Sequence, residues 1–373
     1  MKLLIKQFKH LPLSLLKEGS KICYLLGFLF FFHSCVKDIP NPDIKTIPNA
    51  SHKGLVILNE GSYANNNAEI SFLDFENNSI SNSIFNTANN KSLGDVAQDI
   101  ILMEGKYYIT INNSNKIMVI NSTTFKEIKT IKNSSNPRYF LKINDSVLYV
   151  SSLYSNSIFV LNTNQNEIIH TIHLDFSNTE KMILFNGKVY ATNWNTSCNF
   201  IYQINPLTHL IEDKITLAGF AAHEIEMDKN GMLWVMSGNK YQNTNSYFTV
   251  INPATKQIMK SFSFAKEQDP FRLVFNKTRD SLYFLQVNYQ GQNTNNGLYK
   301  MSIENTFLPN QAFIPAQTNS YFWALGLDTI HNQIYLSDPK GFNQSSAVLK
   351  YDLQGNFIQS YKAGIGANTF LFQ

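Results

Sequence analysis

The sequence has only three cysteines in 373 residues. Cys23 and Cys35 lie within or directly after an N-terminal segment that we expect to be a processed leader, which leaves Cys198 alone. One thiol cannot form a disulfide framework, a paired-thiol redox site or a zinc site. The scarcity of cysteine therefore excludes these classes, and we expect Cys198 to be inert.

Charged residues are also scarce, at 16% of the chain, with a net charge of +4. The residues before Cys35 contain five lysines and one acidic residue, Glu18, so they carry the whole excess and the rest of the chain is about neutral. A neutral domain lacks the basic surface that nucleic acid requires. No calcium-loop, paired-histidine or glycine-rich phosphate motif is present, so we predict no metal, no cofactor and no catalytic residue.

A strand-rich unit recurs along the chain at a spacing of roughly 41 to 50 residues. Each unit has an apolar first strand, an aromatic second strand and two further strands, separated by short turns rich in Gly, Asn, Asp and Ser. This period is typical of propeller blades. The second strands lie at residues 106–109, 147–150, 188–191, 232–235, 281–284 and 333–336, with a divergent copy at 55–58.

These units predict an all-β protein, with one seven-bladed β-propeller of four-stranded antiparallel blades over residues 54–373. Residues 55–58 form a second strand with no first strand before it, whereas residues 366–372 have first-strand character and no strand after them. We therefore predict that the C-terminal strand completes the first blade and closes the ring, because closure removes exposed strand edges.

Residues 1–34 predict a secretory signal, since lysines precede an apolar run at residues 24–32 that ends close to Cys35. The run is too short to span a bilayer comfortably, which makes a transmembrane anchor the weaker alternative. A leader that ends in cysteine resembles a lipoprotein signal, in which Cys35 becomes the acylated first residue. Residues 35–53 contain three prolines and predict an extended tether.

The loops after the second strands are long and rich in Asn, Gln, Ser and Thr, and most carry an aromatic residue. Together with the connections between blades, they should gather around the axis on one face, while minimal turns occupy the other face. Amides beside aromatic planes suit a large, flat, uncharged ligand that bears amides or hydroxyls. The candidate ligand-binding residues are Tyr63, Asp95, Gln98, Arg138, Tyr154, Trp194, His223, Tyr241, Arg272, Tyr289, Tyr321, Trp323 and Phe342.

These assignments have structural alternatives. Asparagine is abundant along the whole chain, and several of the aromatic residues could pack between blades. Arg138 and Arg272 occupy equivalent places at first strands, where they would either point two guanidinium groups at the axis or form two salt bridges between blades. His223 has no second ligand in register, which is more typical of a hydrogen-bonding residue than of a metal ligand.

Three passages carry a family resemblance: Leu-Asn-Glu-Gly-Ser at residues 58–62, Leu-Gly-Asp-Val-Ala-Gln-Asp-Ile at 93–100 and Asn-Ser-Asn-Lys-Ile at 113–117. They resemble the YncE-like surface lipoprotein propellers of Bacteroidetes, including those with the domain of unknown function numbered 5074. The Val-Lys-Asp triplet at residues 36–38 similarly resembles the surface-export signal of Bacteroidetes lipoproteins. The resemblance implies a protein that is anchored by lipid to the outer membrane and exposed at the cell surface.

Relatives of this kind include cobalamin-binding lipoproteins that serve a TonB-dependent outer-membrane transporter. The resemblance therefore implies a corrinoid on the loop-rich face and such a transporter as the partner. Three Asp-Ser/Thr-apolar triplets also match the O-glycosylation pattern of Bacteroidetes, at Ser146, Ser281 and Thr329. All three lie in predicted turns on the opposite face, where Asp-Ser is also ordinary turn chemistry, so both interpretations stay open.

The leading hypothesis is a non-catalytic surface receptor that captures cobalamin or a related corrinoid. One alternative is a propeller enzyme, such as a metal-dependent lactonase or a quinone-dependent dehydrogenase, which would need carboxylates and histidines that converge on the axis. Asp95, His223 and Asp269 are among the candidates for that chemistry. A third interpretation is a protein-interaction or adhesion module that uses the aromatic loops as its surface.

Overall fold

The computed structural model describes residues 53–132, 134–287 and 295–373. Over these residues the chain forms seven four-stranded antiparallel sheets, the blades of a propeller ring, which confirms the predicted fold class. The predicted leader, the tether, Cys35 and Tyr289 lie outside the described residues. In the described part of the chain, no helix is long and apolar enough to cross a membrane.

The strands are given from the axis outward. Blade 1 contains Ala367–Phe372, Gly54–Asn59, Glu69–Asp74 and Ser79–Ser81. Blade 2 contains Ala97–Met103, Lys106–Ile111, Lys116–Asn121 and Glu127–Lys132. Blade 3 contains Pro137–Asn144, Val147–Ser152, Ser157–Asn162 and Glu167–His173. Blade 4 contains Thr179–Phe185, Lys188–Asn193, Phe200–Ile204 and Ile211–Thr216.

The remaining blades follow the same order. Blade 5 contains Ala222–Met227, Leu233–Asn239, Thr244–Asn252 and Gln257–Ser263. Blade 6 contains Asp269–Phe275, Ser281–Val287, Gly297–Ser302 and Ile314–Pro315. Blade 7 contains Leu325–Asp328, Gln333–Asp338, Ser345–Asp352 and Phe357–Ile365. The described helices are one α-helix, Ile84–Asn89, and the 3-10 turns Asn112–Ser114, Lys240–Gln242 and Lys340–Phe342.

The apolar core is divided among the blade interfaces, because each sheet has two apolar faces and must bury both. Within the described part of the chain, buried apolar side chains form seven clusters, and each cluster joins two neighbouring blades. Between blades 5 and 6, the Trp234 ring packs against Phe262 and Phe275 at centroid distances of 6.0 and 6.2 Å. Its indole N–H donates to the Asp228 carboxylate over 3.0 Å, so the buried polar atom is satisfied.

The ring closes as the sequence predicts. The C-terminal strand Ala367–Phe372 pairs antiparallel with Gly54–Asn59, with Leu55 opposite Phe372. Backbone hydrogen bonds join Gly54 and Gln373 in both directions, at 3.4 and 3.0 Å. The two ends of the propeller therefore meet on the face that carries the short turns.

A recurring backbone feature shapes the axis. The innermost strands of blades 1 to 6 each carry a register shift close to the loop-rich face. In five of them a residue with left-handed φ comes just before the strand: Val96, Asn136, Asn178, Ala221 and Gly366, with φ between 53° and 71°. Such a bulge turns the following side chains out of the regular alternation. Here it presents Gln98, Arg138, Glu180, His223 and Asn368 near the axis.

Candidate functional site

A cavity of about 270 Å³ lies at the loop-rich end of the axis. The first strands supply most of its polar lining together with Tyr139 and Phe271, and the ends of the second strands and the connections between blades supply the rest, including Trp194 and Trp323. Six predicted ligand-binding residues meet there: Gln98, Arg138, Trp194, His223, Arg272 and Trp323. The other lining residues are Tyr139, Glu180, Glu224, Gly238, Asn239, Lys240, Asp269, Pro270 and Phe271.

The remaining predicted residues lie elsewhere on this end of the ring. Tyr63 and Tyr154 are 75% and 72% exposed and do not line the cavity. The Asp95 carboxylate accepts the Ala64 backbone N–H over 3.0 Å and an Asn113 side-chain hydrogen bond, so its bonds are made within the loops. Phe342 packs edge-on against Trp323, with ring centroids 5.2 Å apart, and Tyr321 approaches the same ring at 6.5 Å. The side chain of Tyr241 is outside the described part of the chain.

In the wall from blades 2 to 4, the polar side chains are hydrogen-bonded to one another. Arg138 donates from Nε and Nη2 to the two carboxylate oxygens of Glu180, at 3.0 and 2.8 Å. Its Nη1 donates to Gln98 Oε1 over 2.6 Å, and Gln98 Nε2 donates to the Tyr139 hydroxyl over 3.1 Å. The carboxylate raises the pKa of Arg138 despite burial, so the guanidinium stays charged. A bidentate pair of this kind fixes both side chains.

The wall from blades 5 to 7 contains ionisable groups whose pKa values are shifted. Burial, with the nearby positive charges of Arg272 and Arg138, lowers the pKa of His223 to about 3, so the imidazole is neutral at physiological pH. Burial raises the pKa of Asp269 to about 6, although Lys240 opposes the shift. Burial in turn lowers the pKa of Lys240. This wall can therefore offer a neutral imidazole and a carboxyl that titrates near neutrality.

Arg272, in the first strand of blade 6, belongs to this second wall. Its Nε donates to the Trp323 carbonyl oxygen over 3.2 Å, and its Nη2 donates to Asn368 Oδ1. The guanidinium carbon lies 5.8 Å from the centroid of the Trp323 ring. Burial raises the pKa of Glu60 nearby to about 7, an effect that the positive charge of Arg272 limits. The Trp323 indole N–H also lowers the pKa of Glu60, because it stabilises the ionised carboxylate. This N–H makes no hydrogen bond of normal geometry to any of the described residues.

Aromatic side chains complete the cavity. Trp194 follows the second strand of blade 4, and its indole N–H donates to the Gly238 carbonyl of blade 5 over 3.0 Å. Phe271 and Trp323, from blades 6 and 7, have ring centroids 5.5 Å apart at 48°. Trp194 thus ties two blades together at the rim, while Phe271 and Trp323 provide a continuous apolar surface for a planar group.

Three charged residues that lie in the cavity lining or close to it were not singled out from the sequence. Glu180 follows Asn178 and Thr179 at the same register as Arg138, so an alignment of the first strands could have found it. Glu60 lies in the Leu-Asn-Glu-Gly passage that carries the family resemblance, although no ligand role was attached to it. Lys240 had no distinguishing signal, because it is one lysine in a polar loop.

Other predicted chemistry is not assembled at the cavity. Among the described residues, no group of three or more His, Cys, Asp or Glu side chains is arranged to hold a metal ion. Cys198 is buried, and burial raises the pKa of its thiol to about 11. Ser146, Ser281 and Thr329 lie at first-to-second-strand turns of blades 3, 6 and 7, at the other end of the ring. Their glycosylation stays a prediction.

Solved propellers resemble this chain in fold. A quinonprotein alcohol dehydrogenase-like protein from Bacteroides thetaiotaomicron is 17% identical with a TM-score of 0.62, over 87% of this chain and 79% of that one. The periplasmic gluconolactonase of Pseudomonas aeruginosa is 10% identical with a TM-score of 0.63, over 85% and 99%. A putative 6-phosphogluconolactonase from Bacteroides fragilis is 10% identical with a TM-score of 0.64, over 87% and 99%. At these identities the likeness shows the fold alone.

No curated protein matches the sequence. Residues 53–367 match a family described as "Domain of unknown function (DUF5074)". That match covers nearly the whole propeller and confirms the family part of the resemblance, although it assigns no ligand. The protein is a member of the DUF5074 family.

Proposed function

We propose that the protein is a non-catalytic binding protein that holds a planar, polar ligand at the loop-rich end of the propeller axis. The observation that carries this proposal is the cavity itself, in which polar groups from the first strands of blades 2 to 6 surround the same space as aromatic rings of blades 3, 4, 6 and 7. A few fixed polar groups among aromatic side chains are typical of small-molecule sites. The Arg138–Glu180 pair holds part of the site in place before a ligand arrives.

The size of the cavity limits what enters it. A volume of about 270 Å³ is slightly below the range of about 300–1,000 Å³ that is typical of ligand pockets. A corrinoid, which the family resemblance implies, would place one edge of its ring system in the cavity and lie across the surrounding loops. Exposed Tyr63 and Tyr154 are available on that surface as further contacts.

The pairing of the lining groups supports a role in binding. Gln98, Arg138, Tyr139 and Glu180 are hydrogen-bonded to one another, so they form a fixed polar surface. We extend the proposal to the cell surface: a lipid anchor at Cys35 would hold the propeller on the outer membrane, where it would pass its ligand to a TonB-dependent transporter. The leader, the cysteine and the tether in the sequence support this part.

A titration of the purified protein with cyanocobalamin tests the proposal. We expect a dissociation constant in the micromolar range or below by calorimetry, and co-elution of the red ligand in gel filtration. Trp194→Ala and Trp323→Ala should each weaken binding, whereas Ser146→Ala, at the other end of the ring, should not. Binding that survives both tryptophan substitutions would place the ligand elsewhere, and no binding of any planar ligand would refute the proposal.

Asp269 favours a second candidate function, a propeller enzyme. A carboxyl with a pKa of about 6 that lines the same cavity as a neutral imidazole is suited to general acid–base chemistry. Lactone hydrolysis, assayed with and without added divalent metal, tests this alternative. Turnover that Asp269→Asn abolishes and Ser146→Ala preserves would support the enzyme, and no turnover in either condition would count against it.

A further inference from the structure

Arg138 and Arg272 both line the cavity, but they have different partners. Arg138 is paired with the Glu180 carboxylate through two hydrogen bonds. Arg272 donates to two neutral oxygens, the Trp323 carbonyl and Asn368 Oδ1. A guanidinium group has five N–H donors. Arg272 uses two of these donors, and neither of the two bonds goes to a carboxylate. Among the described residues, the other three N–H hydrogens have no acceptor and are left for another group.

The charge of Arg272 is maintained although its surroundings penalise it. Burial opposes ionisation, but Tyr139, Glu224 and Glu60 raise its pKa above the ordinary value for arginine. These groups act at a distance and do not form an ion pair with it. Glu60 is itself only partly ionised near neutral pH, because burial raises its pKa to about 7. The positive charge of Arg272 is therefore only partly balanced by negative charge. Burying such a cation destabilises the protein unless an anion binds to it.

The backbone at Arg272 is unusual as well. In blades 1 to 5 the left-handed residue precedes the axis-facing residue by two positions, and two of these five are asparagine and one is glycine. In blade 6 the left-handed φ of 58° falls on Arg272 itself. A long side chain in this conformation is strained, because Cβ approaches the following carbonyl oxygen. Strain of this kind concentrates at ligand-binding positions, and here it falls on the arginine that lacks a carboxylate partner.

We infer that Arg272 is the anchor for an oxyanion, a carboxylate or phosphate group, on the ligand that the cavity binds. This inference rests on the proposed function and specifies which ligand group enters the cavity. The guanidinium fork can donate two parallel hydrogen bonds to such a group. Phe271 and Trp323 stand beside it, so the acid should be attached to a planar body.

Three small probes that share a phenyl ring test the inference: benzoate, phenyl phosphate and benzamide. Two of the three tryptophans, Trp194 and Trp323, line the cavity, so quenching of intrinsic fluorescence reports binding. We expect at least one of the two acids to bind tenfold or more tightly than benzamide. The tighter of the two acids identifies the natural group as carboxylate or phosphate.

Substitutions test whether Arg272 itself, and not the overall charge of the protein, causes the preference for acids. Arg272→Gln should reduce acid binding to the level of benzamide and leave benzamide binding within twofold. Arg272→Lys keeps the charge without the fork and should lose part of the preference. Arg279→Gln is the matched control, since Arg279 pairs with Glu226 near the other end of the axis and should leave the preference unchanged.

The outcomes distinguish this inference from the proposed function. Benzamide binding that equals or exceeds the binding of both acids would overturn the oxyanion anchor and leave the cavity as a ligand site. A preference for acids that survives both Arg272 substitutions, with an unchanged circular dichroism spectrum, would overturn it as well. If none of the probes quenches the fluorescence, the anchor is refuted together with the proposed cavity site.

Discussion

The two walls of the axial cavity contain similar residue types. In one wall the charged side chains are hydrogen-bonded to each other, and in the other they are not. On the wall from blades 2 to 4, Gln98, Arg138 and Glu180 bond to one another. On the wall from blades 5 to 7, Asp269 and Lys240 influence each other only electrostatically, and Arg272 bonds to neutral oxygens. The first wall is complete without a ligand, whereas the second leaves charge and donors available. We call the first the paired wall and, because the proposed function gives it the contacts with the ligand, the second the recognition wall.

The largest expected effect is on the paired wall. Glu180→Ala leaves the Arg138 guanidinium buried without its carboxylate, and the loss of one partner from a buried pair costs about 3–5 kcal/mol. Urea unfolding followed by circular dichroism should show a fall of that size in the free energy of unfolding. Glu167→Ala, which removes a partner from the exposed Lys129–Glu167 pair, is the control and should change little. Similar values for the two variants would remove the distinction between the walls.

On the recognition wall, Asp269→Asn should increase stability in a pH-dependent way. The pKa of Asp269 is raised to about 6 in the fold, so its ionisation opposes folding. The cost is absent below about pH 3, where the carboxyl is protonated in both states, and reaches at most about 3 kcal/mol above pH 6. The variant should therefore be more stable than the wild type at pH 7 and equal to it at about pH 3. Unfolding curves from about pH 3 to 8 measure this, and a constant difference across that range would contradict it.

Trp323→Ala should affect binding more than folding. The ring contacts Phe271 and Phe342 and lies beside Arg272, so its loss removes part of the planar surface of the recognition wall. We expect about tenfold weaker binding of the tightest probe, roughly 1.4 kcal/mol. Tyr63→Ala removes an exposed aromatic outside the cavity and should leave phenyl-probe binding within twofold. An equal loss in both variants would move the site from the cavity to the loops.

The smallest effect concerns the backbone of the paired wall. Val96 has a left-handed φ of 57°, which a β-branched residue tolerates poorly. Asparagine occupies the equivalent position in blades 3 and 4, so Val96→Asn should stabilise the protein by roughly 0.5–1 kcal/mol. Probe binding should be unchanged. Thermal unfolding gives the shift, and a lower midpoint would show that the valine contributes more through packing than it costs in strain.

The ring could be predicted from the sequence because its signals are repeated. Seven second strands, each strongly apolar, fix the number of blades, and residues 366–372 supply the first strand that blade 1 lacks. The loop-rich face follows from the same alignment, since strand order decides the end of the ring at which each loop lies. Six of the thirteen predicted ligand-binding residues accordingly line one cavity.

The state of each side chain in the cavity could not be predicted in the same way. Arg138 and Arg272 look equivalent in the sequence, and only the fold shows that blade 4 offers Glu180 to the first, whereas the second meets a carbonyl and an amide. The bulges were also missed. Val96 and Ala221 have no sequence signature of a left-handed conformation. Their carbonyls accept hydrogen bonds from the backbone N–H groups of Asn112 and Gly238, at the ends of the second strands, and these contacts exist only in the fold.

The seam of the ring has a practical consequence. Gly54 and Gln373 bond to each other in both directions, and the core is divided among seven blade interfaces. A short linker between these two residues would make the propeller covalently continuous, and new termini could be opened at the exposed Asn186-Gly187 turn of blade 4. Such a circular permutant would keep every strand pair of the described residues, and it would move the N-terminus of the propeller from blade 1 to blade 4 without approaching the cavity.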